Sequence, residues 1–398
     1  MTYLNDFLFE GSNKKEFEKE IKNLSDHTEY LEINPEDLII HSVESITRDG
    51  MNILVIKPEY CSARELFPIK RERTAYSEGK NYYFMKNDKC SFLGMCPDEL
   101  KEIGFFMEYE NNIIIPDKRT FSHLCRQIGV AKLQSDPDPM RELFIAYQLG
   151  YADKFKMLVR KENNVMRCMI TYANSHHTFS QKEIFDKMLS CINDAAVTYF
   201  YITQNLTSIK ISLTNQESIL SISGKRKKIS PCIVVNYSDS GEQALSVNGY
   251  ISINGRGFYV GNPISNPKWS QMEDLEAFTD ELQKEIIPLM NKVITYIESV
   301  SEKDTCNFNT GYRRIMEEIN ISSDIGSKLY EVACSQVEDR ICSKKDLLFK
   351  VLDTAGCINK LCLDSKKKEI PAYAVKNCEK KIGSIFTSPY CREVFGWS

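Results

Sequence analysis

Between Leu38 and Tyr109 the chain is cut into short β-favouring runs, Asp37 to Val43, Met51 to Ile56, Asn81 to Met85 and Phe105 to Tyr109. Turn-forming Asp49-Gly50, Pro58, Glu78-Gly79 and Asn111-Asn112 separate them. Short β-branched and aromatic runs with such punctuation read as strands, so residues 37–115 are expected to form a β-rich unit. CPDELKEIGFF, within it, leaves room for a helical turn or two at Asp98 to Ile103.

Beyond this unit the hydrophobic period lengthens. Phe121, Leu124, Cys125 and Ile128 recur at helical spacing and stop at Gly129, an amphipathic helix with a C-terminal glycine. A second helix is expected from Pro139 to Leu149. KMLVRKENNVMRCMITY then reads as two strands joined at Glu162-Asn163-Asn164, a hairpin. Ser180 and Glu183 form a capping box before Ile184, Met188, Leu189 and Ile192, which marks a helix start. Alternation resumes with Val197, Tyr199 and Tyr201, then Ile209, Ile211 and Leu213, with further strands at Ile219 to Ile222 and Cys232 to Asn236. The turn-rich residues that follow, Asn248-Gly249, Asn254-Gly255 and Gly261-Asn262-Pro263, are read as an exposed stretch with a linker near Gly261. From Met272 to Glu302 an apolar helical pattern runs through Pro288, which should kink it, and the remainder reads as helices.

The fold class expected is α+β: a mixed, β-rich body with interleaved helices and an α-helical C-terminal third. Its parts are an acidic helical segment at 1–36, an α+β core at 37–262 with a basic helix-hairpin block at 116–262, and a helical region at 263–398. At 398 residues, 42% hydrophobic and 27% charged, there is ample apolar material for a packed core and no disordered composition. No stretch reaches the roughly 18 apolar residues of a membrane span, and the N-terminus lacks a basic then apolar export signal. A cytoplasmic protein without membrane contact is therefore expected. Its fourteen cysteines contain no Cys-x-x-Cys and are expected to stay reduced.

Charge is segregated along the chain. Residues 1–50 hold five basic and twelve acidic residues, and residues 269–304 hold three and nine. Residues 118–235 hold seventeen basic and nine acidic, and 340–398 hold twelve and six. The net charge of −4 excludes bulk cationic coating of nucleic acid. Two readings stay open: the basic segments build a local polyanion groove, or they pair with the acidic ones.

The groove reading has named candidates. Lys154, Lys156 and Arg160 alternate on one hairpin strand and share a face, with Lys161 and Arg167 beside them. Arg119 and Arg126 lie two turns apart on the preceding helix, and Tyr172 and Phe179 follow the hairpin. Rings next to basic side chains hold single strands by stacking and phosphate pairing. Lys225, Arg226, Lys227 and Lys228 fall in an expected loop, where adjacent like charges want an anion or solvent. His176-His177 lacks a partner at helical metal spacing, Asp239 and Glu242 lie in a turn-rich loop, and no phosphate-loop, zinc-protease or serine-elbow motif occurs. No catalytic residue, cofactor or metal is expected.

The order FSHLCRQIGV, MLVR, VMRCMITYA and IVVNYSDSGEQALSVNGYISINGRG resembles the phage/plasmid-like domain family of unknown function, over roughly residues 116–258. Asn236 to Gly241 would stand for its asparagine-serine-glycine segment and Asn254-Gly255 for its later asparagine-glycine pair. The resemblance implies a mobile-element protein and brings no activity. Together with the basic block it leads to the expectation of a non-catalytic protein that binds single-stranded DNA or RNA, handling or annealing strands in replication or recombination, with self-association through its helices. The alternative is a counter-defence protein that inhibits a host protein or ribonucleoprotein, its acidic segments imitating nucleic acid.

Overall fold

The computed structural model describes residues 8–48, 51–56, 73–78, 81–86, 89–92, 105–116, 118–129, 144–145, 147–162, 165–175, 179–192, 195–222, 225–253, 256–265, 282–321, 329–331, 341–354 and 372–397. They form a mixed α+β fold in two compact units. The first gathers residues 1–185, 200–207 and 237–243, and the second 186–199, 208–236 and 244–398.

The first unit begins with β1 (Leu8–Gly11), α1 (Lys14–Asp26) and β2 (Thr28–Ile33). Asn13 caps α1 by accepting from the Glu16 amide at 2.8 Å, and Phe17, Ile21 and Leu24 bury one stripe of it. Strands β3 (Ile39–Arg48), β4 (Met51–Ile56), β5 (Arg73–Glu78), β6 (Asn81–Lys86), β7 (Lys89–Phe92), β8 (Phe105–Tyr109) and β9 (Asn112–Pro116) follow, then α2 (Lys118–Gln127) and the hairpin β10 (Phe155–Glu162) and β11 (Val165–Ala173). Together β2 to β11 make a ten-stranded sheet in the order β2-β10-β11-β9-β8-β3-β4-β5-β6-β7. All neighbours are antiparallel except β9 and β11. At the β8–β9 turn Glu110 and Asn111 take φ of 49° and 65°, the paired left-handed conformation of a tight hairpin.

One face of this sheet carries Phe155, Met157 and Val159, which pack with Phe121, Leu124 and Cys125 of α2, with Ile128 just after it, and with Ile145 and Leu149. Residues 28–33, expected within a helical N-terminal segment, are strand because Thr-Glu-Tyr-Leu-Glu-Ile alternates along a pleat. The capping box is realised at α3 (Gln181–Cys191): the Glu183 amide donates to Ser180 Oγ at 3.2 Å, and the Ser180 amide to Glu183 Oε2 at 2.8 Å.

Next come β12 (Ala195–Thr203), β13 (Thr207–Leu213), β14 (Ser218–Ile222), β15 (Lys225–Tyr237), β16 (Ser246–Ile253) and β17 (Arg256–Ser265). In the first unit β1 lies antiparallel to residues 200–203 of β12. In the second, β13, β15, β16 and β17 follow β12 in that order, and β14 pairs with β15. Two turn readings are corrected here. Asn248-Gly249 lies inside β16, where a Cβ on Gly249 would sit 3.2 Å from Met290 Cγ, so the glycine marks close helix packing and not a bend. Gly261 to Pro263 belongs to β17.

Helices α4 (Ile287–Ser299), α5 (Phe308–Glu318), α6 (Lys344–Thr354), α7 (Ala372–Gly383) and α8 (Pro389–Phe395) complete the second unit. Pro288 falls in the first turn of α4, where no intrahelical amide bond is needed, directly after a π-turn at Leu282–Ile286. A short ribbon of β18 (Thr305–Asn307) and β19 (Ile341–Ser343) interrupts the expected all-helical region. Gly383 lets α7 approach β17 so closely that a Cβ would strike the Tyr259 carbonyl. Trp397 packs on Phe386, Phe395 and Tyr296 and donates from Nε1 to the Tyr296 carbonyl at 2.9 Å, sealing the core.

The turns expected at Asp49-Gly50, Pro58, Gly79, Asn163-Asn164 and Asn254-Gly255, the helical turn at 98–103, the helix start at Pro139, His176-His177 and the acidic run at 269–281 lie outside the described residues. Among the described residues no helix is long and apolar enough to cross a membrane.

Candidate functional site

The cationic ribbon expected on the hairpin does not form, because Arg160 turns inward. It is 0% exposed, and its NH2 lies 2.8 and 3.0 Å from the two carboxylate oxygens of Asp239, itself 1% exposed. Arg160 also donates to the Gln204 carbonyl from NH2 (2.8 Å) and Nε (3.3 Å), and to Thr28 Oγ1 from NH1 (2.6 Å). Thr28 stands directly opposite Arg160 on β2. Asp239 further accepts from Gln181 Nε2 at 2.9 Å, and its backbone carbonyl accepts from Tyr172 Oη. Thr207 Oγ1 donates to Gln181 Oε1.

A buried charge is tolerated only with a partner and filled hydrogen bonds, and this network supplies both. It ties the 203–206 turn and the 238–241 turn to the face of the sheet opposite α2. Nearby, Tyr237 donates to the Phe179 carbonyl at 2.7 Å, and burial first, then the Asp239 charge, pushes its hydroxyl far above the usual phenol range. Among the described residues the Arg160–Asp239 pair thus joins β2, β10, the start of α3 and the 203–206 and 238–241 turns.

The other sequence candidates separate. Lys161 pairs with Glu29 at 3.0 Å. Lys225, Arg226, Lys227 and Lys228 open strand β15 instead of forming a loop, opposite Ile222, Ser221, Leu220 and Ile219. Pairing along β14 is possible because acids neutralise the run: Lys227 meets Asp353 at 2.8 Å and Lys228 meets Glu217 at 2.7 Å. The Lys228 hydrogen bond holds the Glu217 carboxyl below its ordinary pKa. Arg226 is exposed, and the Lys225 side chain lies outside the described residues. Tyr172 serves the buried network, Arg167 is half-buried on β11, and Lys156 is half-buried between Glu32 and Tyr172. Arg126 and Lys154 are exposed, and the Arg119 side chain lies outside the described residues.

Between α2 and β10 lies a feature that charge and motif spacing do not mark. Ile145 and Leu149 are fully buried against the α2 side of the sheet. On the other side of the same helical turns Phe144, Tyr147 and Tyr151 are 41%, 44% and 73% exposed. Phe144 and Tyr147, at i and i+3, share one helix face, and Tyr151 in the turn that follows extends that exposed aromatic stripe into a ridge. Tyr147 and Tyr151 have centroids 5.1 Å apart with planes at 56°, and the Tyr151 hydroxyl donates to that of Tyr147 at 3.2 Å. Its pairing with the neighbouring Tyr151 phenol raises the pKa of Tyr147. The signal was legible in FIAYQLGY as two interleaved stripes, one aliphatic and one aromatic.

The second unit holds a different polar cluster. Lys210 Nζ lies 3.8 Å from the centroid of the Tyr250 ring, and Tyr250 Oη donates to Glu379 Oε1 at 3.3 Å. Tyr259 stands edge-on to Tyr250 at 5.2 Å, with Lys376 Nζ 5.9 Å from its ring centroid. Burial lowers the Lys210 pKa and raises that of Glu379, against their mutual attraction. Tyr250 and Glu379 lie 129 residues apart, so no local spacing announces the cluster. Its contacts fasten α7 to the sheet through a cation–π contact and a hydrogen bond.

Among the described residues no group of three or more histidine, cysteine or acidic side chains could hold a metal ion. Comparison with family models, curated proteins and solved structures finds no match.

Proposed function

We propose that the first unit binds a single strand of DNA or RNA on the ridge of Phe144, Tyr147 and Tyr151, with Arg126 and Lys154 meeting phosphates. The observation that carries the reading is the ridge itself: three large rings kept in solvent beside a fully buried aliphatic stripe. Solvent-held rings forgo the hydrophobic gain of burial, on the order of 25 cal/mol per Å², and offer faces on which bases of any sequence stack. Arg126, on α2, and Lys154, three residues past Tyr151, are exposed and make no ion pair among the described residues.

This reading keeps the expectation of strand binding but moves it off the inward-turned Arg160 and the neutralised Lys227 and Lys228. The resemblance to a phage/plasmid-like family would place such binding in the replication or recombination of a mobile element. The alternative of nucleic-acid mimicry draws no support from α1, where Lys14, Lys15, Lys19 and Lys22 interleave with Glu16, Glu18, Glu20 and Asp26. The test is a fluorescence-anisotropy titration of the full chain with labelled single- and double-stranded oligonucleotides of DNA and RNA. Binding that favours single strands and falls when Tyr147 and Tyr151 become alanine supports the proposal, and the absence of binding at low salt overturns it.

A further inference from the structure

The β18–β19 ribbon places two thiols face to face. Cys306 and Cys342, 36 residues apart in sequence, are directly opposed across the antiparallel pair, with their Sγ atoms 4.0 Å apart. Opposed residues in such a pair have Cα atoms about 4.5 to 5.5 Å apart, inside the span that a disulfide bridges without backbone movement. Both side chains are half-buried, so neither is sealed from small reagents. Five other described cysteines, Cys125, Cys168, Cys232, Cys378 and Cys391, are buried.

Each thiol also stands just ahead of a helix. Asn307 caps α5 by accepting from the Thr310 amide at 3.1 Å, and Ser343 Oγ accepts from the Asp346 amide at 3.0 Å at the start of α6. The Lys344 amide donates to the Asp304 carbonyl at 2.8 Å, closing one end of the ribbon. Phe308, Tyr312 and Ile315 of α5 and Leu347, Leu348 and Val351 of α6 share one buried cluster.

We propose that Cys306 and Cys342 form a reversible dithiol–disulfide couple, closed by exchange with a low-molecular-weight disulfide, that staples the starts of α5 and α6. In the first step the Cys306 thiolate attacks one sulfur of the small disulfide. A mixed disulfide forms and one thiolate leaves. Cys342 then loses its proton to solvent and attacks Cys306 Sγ, expelling the second thiolate. Two protein thiols lose two electrons and two protons, and the small disulfide becomes two thiols.

The surroundings set this order. Burial raises both thiols, but the contact with Cys342 and the Lys344 charge act the other way on Cys306, so Cys306 is the more readily ionised of the two. Cys342 is pushed up to about 12, first by burial and then by Cys306 itself.

The full chain would be equilibrated in glutathione buffers from reducing to oxidising, acid-quenched, alkylated and digested. The expected result is a peptide pair joined through Cys306 and Cys342, two hydrogens lighter than the reduced pair, with a thermal midpoint raised by several degrees. Cys306→Ser and Cys342→Ser should each abolish the cross-link and the shift while leaving the reduced midpoint near that of the parent. Free thiols or only glutathione adducts at both positions under the most oxidising ratio would overturn the proposal. So would preferential pairing of either residue with another cysteine, a result read from the parent chain even if a variant misfolds.

Discussion

Arg160 and Asp239, 79 residues apart in sequence, meet at 2.8 Å with essentially no solvent exposure on either side chain. Removing one member of such a pair leaves a buried charge without compensation, at a cost of about 3 to 5 kcal/mol. Arg160→Met and Asp239→Leu should each lower the unfolding free energy by that order in urea titrations. The double substitution should recover much of the loss, and a double variant no better than the singles would show that the turns are held by something other than this pair.

Tyr147→Ala and Tyr151→Ala should each weaken single-strand affinity by roughly 5- to 150-fold, the equivalent of about 1 to 3 kcal/mol for a stacked base. Tyr→Phe at either position keeps the ring and should change affinity little. Anisotropy titrations separate the two, and equal losses in Ala and Phe variants would assign the effect to the hydroxyl pair.

Two phosphate contacts predict a shallow salt dependence, with log affinity falling against log salt with a slope of about −1.4 for single strands. Arg126→Ala and Lys154→Ala should each reduce that slope by about half. A parent slope several times steeper would place the electrostatic footprint elsewhere.

Lys227→Ser and Lys228→Ser should leave oligonucleotide affinity within about twofold, since Asp353 and Glu217 already meet those charges. The loss of these partly exposed pairs should cost no more than about 1 kcal/mol of stability each. A marked drop in affinity would return the run to the binding surface.

The Glu379 carboxyl titrates above its unfolded value because burial disfavours the carboxylate. Its contribution is fully present below the unfolded pKa of about 4.3 and is lost as pH rises through the higher folded value. Glu379→Gln should therefore flatten the stability–pH profile above about pH 4, as followed by denaturant midpoints across the acid range. An unchanged profile would mean that another group sets that slope.

What the sequence disclosed and what it hid divide along physical lines. The Ser180–Glu183 cap, the β10–β11 hairpin and the α2 stripe depend on residues within a few positions of one another, and local pattern reads them. Alternation also puts Lys156 and Arg160 on one face, but nothing local says that the turn at Asp239 and the carbonyl of Gln204 will cover Arg160. Lys225 to Lys228 read as a loop because neighbouring like charges repel, and the acids that relieve them, Glu217 and Asp353, come from elsewhere in the chain. Tyr147 and Tyr151 are legible in the sequence as an aromatic stripe beside the aliphatic one of Ile145 and Leu149, but no charge pattern marks them.

The first unit is not one continuous length of chain. It is completed by residues 200–207 and 237–243, which the chain delivers only after leaving it. At a synthesis rate of roughly 5 to 20 residues per second, Asp239 is added about 4 to 16 seconds after Arg160. For that interval the nascent sheet carries a guanidinium with no carboxylate to receive it, so the pair can close only after residue 239 has been made. A fragment ending before Tyr237 should share that fate permanently, and the boundary at which soluble fragments first appear would lie past residue 243.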